Sequence, residues 1–306
     1  MKGNNIFESN KQKTMKVFEI GNGQTVIKGP SHYYSCSEGD STVMLYKGEE
    51  EDEPVIRFSI IYFQRAEGIT QKDIINDFKE KAARQNAQFI THSGKSFFSY
   101  DSESQEDLYI RIFEIMYEEN IIVVSLTATN EDKGTDKIKV YLEEITEMIK
   151  SIDSLSSLKF PILEPRYEDI DYLVTEVTKV LDVPGEKIAQ YHESGKSVEI
   201  LQDILTRRDY AINDYKYHCA LGLLFGDCVQ SANNSFHWVI VHDQYGRELA
   251  LQYQDFALQC FPISMITKRI EEEVEINVTQ LMDEVITHIE SESDKDKGFT
   301  RIEHNF

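Results

Sequence analysis

The sequence predicts an α+β fold in two parts: an N-terminal antiparallel sheet with two packed helices, then a mainly helical domain with a β-hairpin. Three observations predict it. Over residues 15–153, runs rich in β-branched and aromatic residues alternate with two helical apolar stripes. Beyond residue 170 the apolar spacing settles into the three-to-four period of helices. Between them Ser154 to Asp169 carries two prolines and a serine cluster, which neither pattern tolerates.

The first strands are VFEI, TVIKG, TVMLYKG and VIRFSIIYFQR, with the acidic run GEEEDEP (Gly48 to Pro54) as an exposed loop between the last two. ITQKDIINDFKEKAARQ reads as a helix that Thr70 caps with Asp73 three residues on. Its stripe is Ile74, Ile75, Phe78 and Ala82. QFITH, KSFFSYD, LYIRIFEIMY and NIIVVSLTAT follow as a meander of short-turned antiparallel strands. A closing helix, capped by Thr135, places Ile138, Tyr141, Leu142, Ile145, Met148, Ile149 and Ile152 on one side.

Past the prolines, Ile170, Leu173, Val174, Val177 and Leu181 form a helical stripe that Pro184-Gly185 ends. Two short helices around Ser194-Gly195 and a longer one from about Asp209 to Val229 come next. The two strands of HWVIVHDQYGRELAL and helices near Ser264 to Glu273 and Val278 to Glu290 complete the series. The expected organisation is a flexible tail at 1–14, an α+β domain at 15–153, a linker at 154–169, a helix-rich domain at 170–290 and a polar tail at 291–306.

Composition narrows the function. The 306 residues carry 54 Asp and Glu against 32 Lys and Arg, a formal net charge of -22. Nucleic acid and anionic membrane select for the opposite sign, so neither is an expected partner. No stretch approaches the roughly 18 to 20 apolar residues of a membrane span, and the N-terminus lacks the apolar core of a signal peptide. Cys36, Cys219, Cys228 and Cys260 show no CxxC spacing, which fits reduced thiols in a cytoplasm.

Gly222 and Gly226 stand four apart, on one face of their helix. Glycine there costs about 1 kcal/mol against alanine, so the pair marks a close backbone approach, expected against the following sheet. Asp243 and Gly246 have the chemistry of a hairpin turn, with Trp238 on the strand before it. A cysteine hydrolase would place a nucleophile, Cys228 or Cys219, ahead of His237 and Asp243. The chain order is right, but Cys228 falls near the C-terminal end of its helix, where the dipole disfavours a thiolate, and Cys219 sits in mid-helix. For zinc, His218 and Cys219 diverge on a helix and His237 and His242 face opposite sides of a strand. Phosphate-loop, dinucleotide, zincin and nucleophile-elbow motifs are all missing, so no catalytic residue, metal or cofactor is expected. His32-Tyr33-Tyr34 reads as core beside a strand.

Two resemblances add to this reading. The strand–helix–strand–helix order of residues 15–153 resembles the Mog/PsbP-like fold, a group that includes chaperones for type VI secretion effectors. The run from Tyr210 to Ile289 resembles the bacterial domain-of-unknown-function 3806 family. Gly222, Gly226, Trp238, Asp243, Gly246, Phe261, Pro262, Lys268 and Arg269 carry that likeness. It implies a bacterial origin and a compact α+β domain, with no established reaction. The stretch Asn233-Asn234-Ser235 lacks the glycine such members have before the tryptophan.

The expectation is a non-catalytic, cytoplasmic, acidic protein that binds a basic protein: an immunity protein for a toxin, or a chaperone or adaptor for a secreted effector. The candidate contacts are Glu49, Glu50, Glu51, Asp52 and Glu53 in the loop and Glu271, Glu272 and Glu273 after the penultimate helix. The alternative is the cysteine-dependent hydrolase described above.

Overall fold

The computed structural model describes residues 15–21, 23–48, 53–62, 70–102, 107–158, 162–208, 210–243, 246–254, 258–295 and 302–303. The chain divides into two compact units, Met1–Lys159 and Phe160–Phe306.

The first unit begins with β1 (Met15–Ile20), β2 (Thr25–Pro30), β3 (Tyr34–Ser37), β4 (Thr42–Tyr46) and β5 (Val55–Tyr62). Helix α1 (Gln71–Arg84) follows, then β6 (Ile90–His92), β7 (Lys95–Asp101), β8 (Leu108–Tyr117) and β9 (Asn120–Thr129). Helix α2 (Asp136–Ser151) and β10 (Asp153–Ser154) close it. Seven strands form one antiparallel sheet in the order β3-β4-β5-β9-β8-β7-β6, and β1, β2 and β10 form a second. Strict alternation decides the faces. Ile56, Phe58 and Ile60 of β5 and Ile122, Val124 and Leu126 of β9 share a core with α2 residues Ile138, Tyr141, Ile145 and Ile149. On the opposite face Phe98 and Met116 pack with Phe78 and Ala82 of α1.

Local chemistry sets the helix ends. The Asp73 backbone N–H donates to the Thr70 hydroxyl at 3.3 Å, while the Thr70 backbone N–H donates to the Asp73 carboxylate at 2.9 Å. The Thr70 hydroxyl and backbone hold the Asp73 carboxyl below its usual range. Thr135 accepts from the Ile138 N–H at the start of α2. Buried Glu114 of β8 accepts from Lys81 at 2.6 Å and from Tyr100 at 2.8 Å, fastening α1 to the sheet.

The second unit runs β11 (Ile162–Leu163), α3 (Tyr167–Leu181), α4 (Ile188–Glu193), α5 (Lys196–Arg207), α6 (Tyr215–Ala232), β12 (Phe236–Asp243), β13 (Gly246–Tyr253), β14 (Leu258–Cys260), α7 (Pro262–Glu271), α8 (Val278–Lys295) and β15 (Ile302–Glu303). The expected hairpin, β12 with β13, is the centre of a five-stranded sheet ordered β11-β12-β13-β14-β15. The flanking strands have two or three residues each, too few to show an alternating pattern in sequence. Helix α6 is apolar around nearly its whole circumference from Ala220 to Val229, and it packs with α3, α5, α7 and α8 as the central helix of the unit. It starts at Tyr215, capped by Asp214, and not near residue 209.

The stretch expected to link the domains gives its ends to sheets. Asp153 and Ser154 pair with Val26 and Thr25, and Leu155 is buried behind them. Ile162 and Leu163 pair with Val241 and Ile240. In the expected C-terminal tail, α8 continues to Lys295, and Ile302 and Glu303 pair in parallel with Leu258 and Gln259. The N-terminal tail lies outside the described residues.

Candidate functional site

Gly222, Gly226, Trp238 and Pro262 meet where α6 crosses α7 and β12. A Cβ on Gly222 would sit 2.5 Å from the Ile263 Cα and 3.0 Å from the Pro262 carbonyl oxygen, so α7 approaches α6 backbone to backbone. A Cβ on Gly226 would overlap the rim of the Trp238 indole and stand 2.8 Å from the Pro262 ring. Pro262 occupies the first turn of α7, where its missing N–H costs nothing. The glycine pair therefore admits a helix as well as the expected strand. Gly246, at φ +126, pairs with Asp243 at the hairpin turn.

The thiols near this crossing have other neighbours than sequence order suggests. His237 and Asp243 lie on one strand, six residues and thus about 20 Å apart. That spacing does not bring them together beside one thiol as the alternative reading, a cysteine hydrolase, would require. Cys228 instead faces His192 of α4, whose Nδ1 lies 3.9 Å from the sulfur. The His192 Nε2 is 2.7 Å from the Asp227 carboxylate. This thiol–imidazole–carboxylate set was not legible in the sequence, since His192 and Asp227 are 35 residues apart and belong to separate helices. Burial and then Asp227 push the Cys228 thiol up to about 12. Burial does the same for Cys260, also to about 12.

The residues weighed for zinc are also dispersed. His218 is buried, with its Nε2 3.1 Å from the Ala211 carbonyl oxygen and its ring against Tyr210. Cys219 is half-buried and hydrogen-bonds Tyr215 one turn back. Among the described residues no three His, Cys, Asp or Glu side chains converge in an arrangement that holds a metal ion.

The acidic candidates divide into three cases. Glu49, Glu50, Glu51 and Asp52 lie outside the described residues. Glu53 is engaged: the Tyr141 hydroxyl donates to it at 2.6 Å and Lys137 lies 3.3 Å away. The Tyr141 hydrogen bond comes first in lowering the Glu53 carboxyl, with Lys137 adding to it against the effect of burial. Glu271, Glu272 and Glu273 are exposed at the end of α7. Glu273 takes a left-handed backbone, φ 55, and its carbonyl oxygen accepts from Arg208 at 2.9 Å. The helix stops at Glu271, so these carboxylates do not radiate around a continuing helix.

In the first unit a second polar cluster surrounds Glu144 of α2. Buried Tyr33 donates its hydroxyl to Glu144 at 2.8 Å, and Lys47 approaches the same carboxylate at 2.9 Å. The Lys47 ammonium lies 3.8 Å from the Tyr141 ring centroid and 5.0 Å from that of Tyr33. Burial and then Glu144 raise the Tyr33 phenol far above its ordinary range. Tyr33 is core as expected, whereas its neighbour Tyr34 is exposed.

Among the described residues no helix is long and apolar enough to cross a membrane. No curated protein matches the chain. In fold it is similar to a crystal structure of a protein from Bacteroides thetaiotaomicron VPI-5482, with TM-score 0.63 and 14% identity over 89% of this chain and 98% of that one. A solution structure of PsbP (CyanoP) from Synechocystis sp. PCC 6803 is matched at TM-score 0.30 and 10% identity over 50% of this chain and 98% of that one, a level that carries nothing across. The domain of unknown function DUF3806 matches residues 197–281, from the second residue of α5 into α8, beginning ahead of Tyr210 and ending short of Ile289. The matched residues include both glycines, the tryptophan, Asp243 and Gly246, and the Phe-Pro step.

Proposed function

We propose that this chain is a non-catalytic, acidic bacterial protein of the cytoplasm that binds a basic protein, acting as an immunity protein for a toxin or as a chaperone or adaptor for a secreted effector. The net charge of -22 carries the reading. A surface of that sign steers and selects a partner of the opposite sign, and a basic nucleic-acid-cleaving toxin has such a face. The quiet chemistry around Cys228 supports it: a thiol raised to about 12 on the C-terminal half of its helix is a poor nucleophile.

The test is purification of the native protein from its own cells at low ionic strength. One stoichiometric basic protein is expected, released near 1 M salt where the screening length falls to about 3 Å. Elution of the chain alone at every ionic strength overturns the proposal.

A further inference from the structure

The Glu144 cluster of the first unit has the anatomy of a cation receptor. The Tyr33 and Tyr141 rings stand 6.3 Å apart between centroids and 77° to each other, two walls of a corner. The Glu144 carboxylate closes that corner and accepts from the Tyr33 hydroxyl at 2.8 Å. All three side chains are buried, so the core of the unit sets their positions. The His32 ring lies against Tyr33, 4.8 Å between centroids, with its Nε2 3.7 Å from Glu144. The corner holds the ammonium of Lys47, which is 3.8 Å from the Tyr141 centroid, 5.0 Å from that of Tyr33 and 2.9 Å from Glu144.

Two features separate this corner from an ordinary ion pair. A carboxylate and a donor are enough for an ion pair, whereas perpendicular rings add the quadrupoles by which proteins recognise ammonium ligands. The walls and the occupant are also unequally held. Lys47 follows the last residue of β4, pairs with no strand among the described residues and is 21% exposed at its side chain. Replacing its ammonium by another exchanges like for like: the preorganised walls keep their contacts, and Lys47 recovers hydration and rotamer freedom.

We infer that Tyr33, Tyr141 and Glu144 form a lysine-binding cage, which Lys47 plugs in the free chain and a lysine of the basic partner fills in its place. The resident ammonium fixes the ligand class. Glu144 accepts from an N–H at 2.9 Å, which a primary ammonium has and a quaternary one lacks. The tether sets the threshold. A group attached beside its site competes at an effective concentration of roughly millimolar, so a free amine below that level leaves Lys47 in place. A lysine carried on a partner already bound elsewhere competes on equal terms. This rests on the basic-partner reading above and gives it a site.

The first experiment empties the cage in the full chain with Lys47→Ala. At about 50 mM, n-propylammonium chloride, the missing part of the side chain, raises the thermal midpoint of this variant by about 3 °C over sodium chloride at the same concentration. It leaves the unaltered chain unchanged, and tetramethylammonium gives no such rise. No rescue by propylammonium, or equal rescue by tetramethylammonium, overturns the lysine cage. The second experiment keeps the natural sequence and places 13C-methyl groups on its lysines by reductive methylation, which retains the charge and one N–H. The Lys47 methyl signal, identified by its loss in Lys47→Arg, is shifted upfield by the rings, and a fluorescein-labelled peptide of six Lys-Gly repeats returns it to the position of exposed lysines. A Lys47 signal among the exposed lysines in the free chain overturns the cage. A signal that stays upfield while anisotropy shows the peptide bound overturns the exchange and leaves the general acidic reading standing. Absence of peptide binding by the unaltered chain overturns both.

Discussion

Replacing Gly222 with alanine tests whether the contact between α6 and α7 is as close as the geometry requires. The new Cβ would lie 2.5 Å from the Ile263 Cα, 3.0 Å from the Pro262 carbonyl oxygen and 3.1 Å from the Ile263 backbone nitrogen. Ordinary carbon contacts lie near 3.5–4.0 Å, so α7 must retreat by about 1 Å. All three obstacles are backbone, which has no rotamer to escape into. Overpacking of this kind costs about 1–3 kcal/mol, and the backbone character puts it at the upper end. Alanine returns about 1 kcal/mol through helix propensity. The net expectation is a loss of about 2 kcal/mol. The single tryptophan, Trp238, sits on β12 beside Gly226, so its fluorescence in a urea titration reports the second unit alone. With an m-value of about 2 kcal/mol/M the midpoint falls by roughly 1 M. Gly185 of the same unit, whose added Cβ would meet only ordinary contacts (3.6 Å from the Val174 Cγ1), is the control and stays within about 0.5 kcal/mol. A Gly222→Ala midpoint equal to or above that of the parent refutes the close crossing.

Other outcomes follow from the burial and titration of particular groups. In native protein at pH 7, a disulfide reagent modifies half-buried Cys36 and Cys219 well before buried Cys228 and Cys260, and all four react together once urea unfolds the chain. Rapid native labelling of Cys228 would show an accessible thiolate and reopen the hydrolase. The Glu53 carboxyl titrates below its unfolded value of 4.5, so its contribution is complete above that pH and is lost as pH falls through the lower folded value. Glu53→Gln therefore flattens the acid limb of the first unit's stability below about pH 4.5, measured by circular dichroism in urea. An unchanged acid limb contradicts the Tyr141 and Lys137 contacts.

Features fixed by neighbouring residues were legible in the sequence, and features fixed across the chain were not. Thr70 with Asp73 and Thr135 with Ile138 are contacts over three residues, so capping chemistry identified both helix starts. The spacing of Gly222 and Gly226 announced a close approach, but sequence pointed to the sheet. The structure gives Gly226 to Trp238 of that sheet, and Gly222 to the first turn of α7. Strands β11 and β14 escaped notice because two or three residues show no period. The same limit governed the polar residues. His237 and Asp243 drew attention because they are near each other in sequence, yet strand geometry carries them about 20 Å apart. His192 and Asp227, distant in sequence, share a 2.7 Å contact.

The Glu144 cluster sets a final test, and it bears on the acidic loop. Lys47 precedes the run Glu49 to Asp52 and Glu53 follows it, and both ends are tied to α2: Lys47 through Glu144, Glu53 through Tyr141 and Lys137. Glu144 is 6% exposed, and its removal strands the buried Tyr33 hydroxyl and the Lys47 ammonium, with the His32 ring 3.7 Å from the same carboxylate. Breaking a fully buried pair costs about 3–5 kcal/mol. Lys47, at 21% exposure, recovers part of its hydration and keeps the tyrosine rings, which lowers the expectation for Glu144→Ala to about 2–3 kcal/mol. Glu144→Gln keeps an acceptor for Tyr33 and costs less. Lys47→Met together with Glu144→Gln costs less again than the sum of the two single changes, because neither leaves the other uncompensated. Far-ultraviolet circular dichroism in urea measures all of them, Lys47→Met alone included. Strict additivity, or a loss below about 0.5 kcal/mol for Glu144→Ala, would mean that the ion pair does not tie Lys47 to α2.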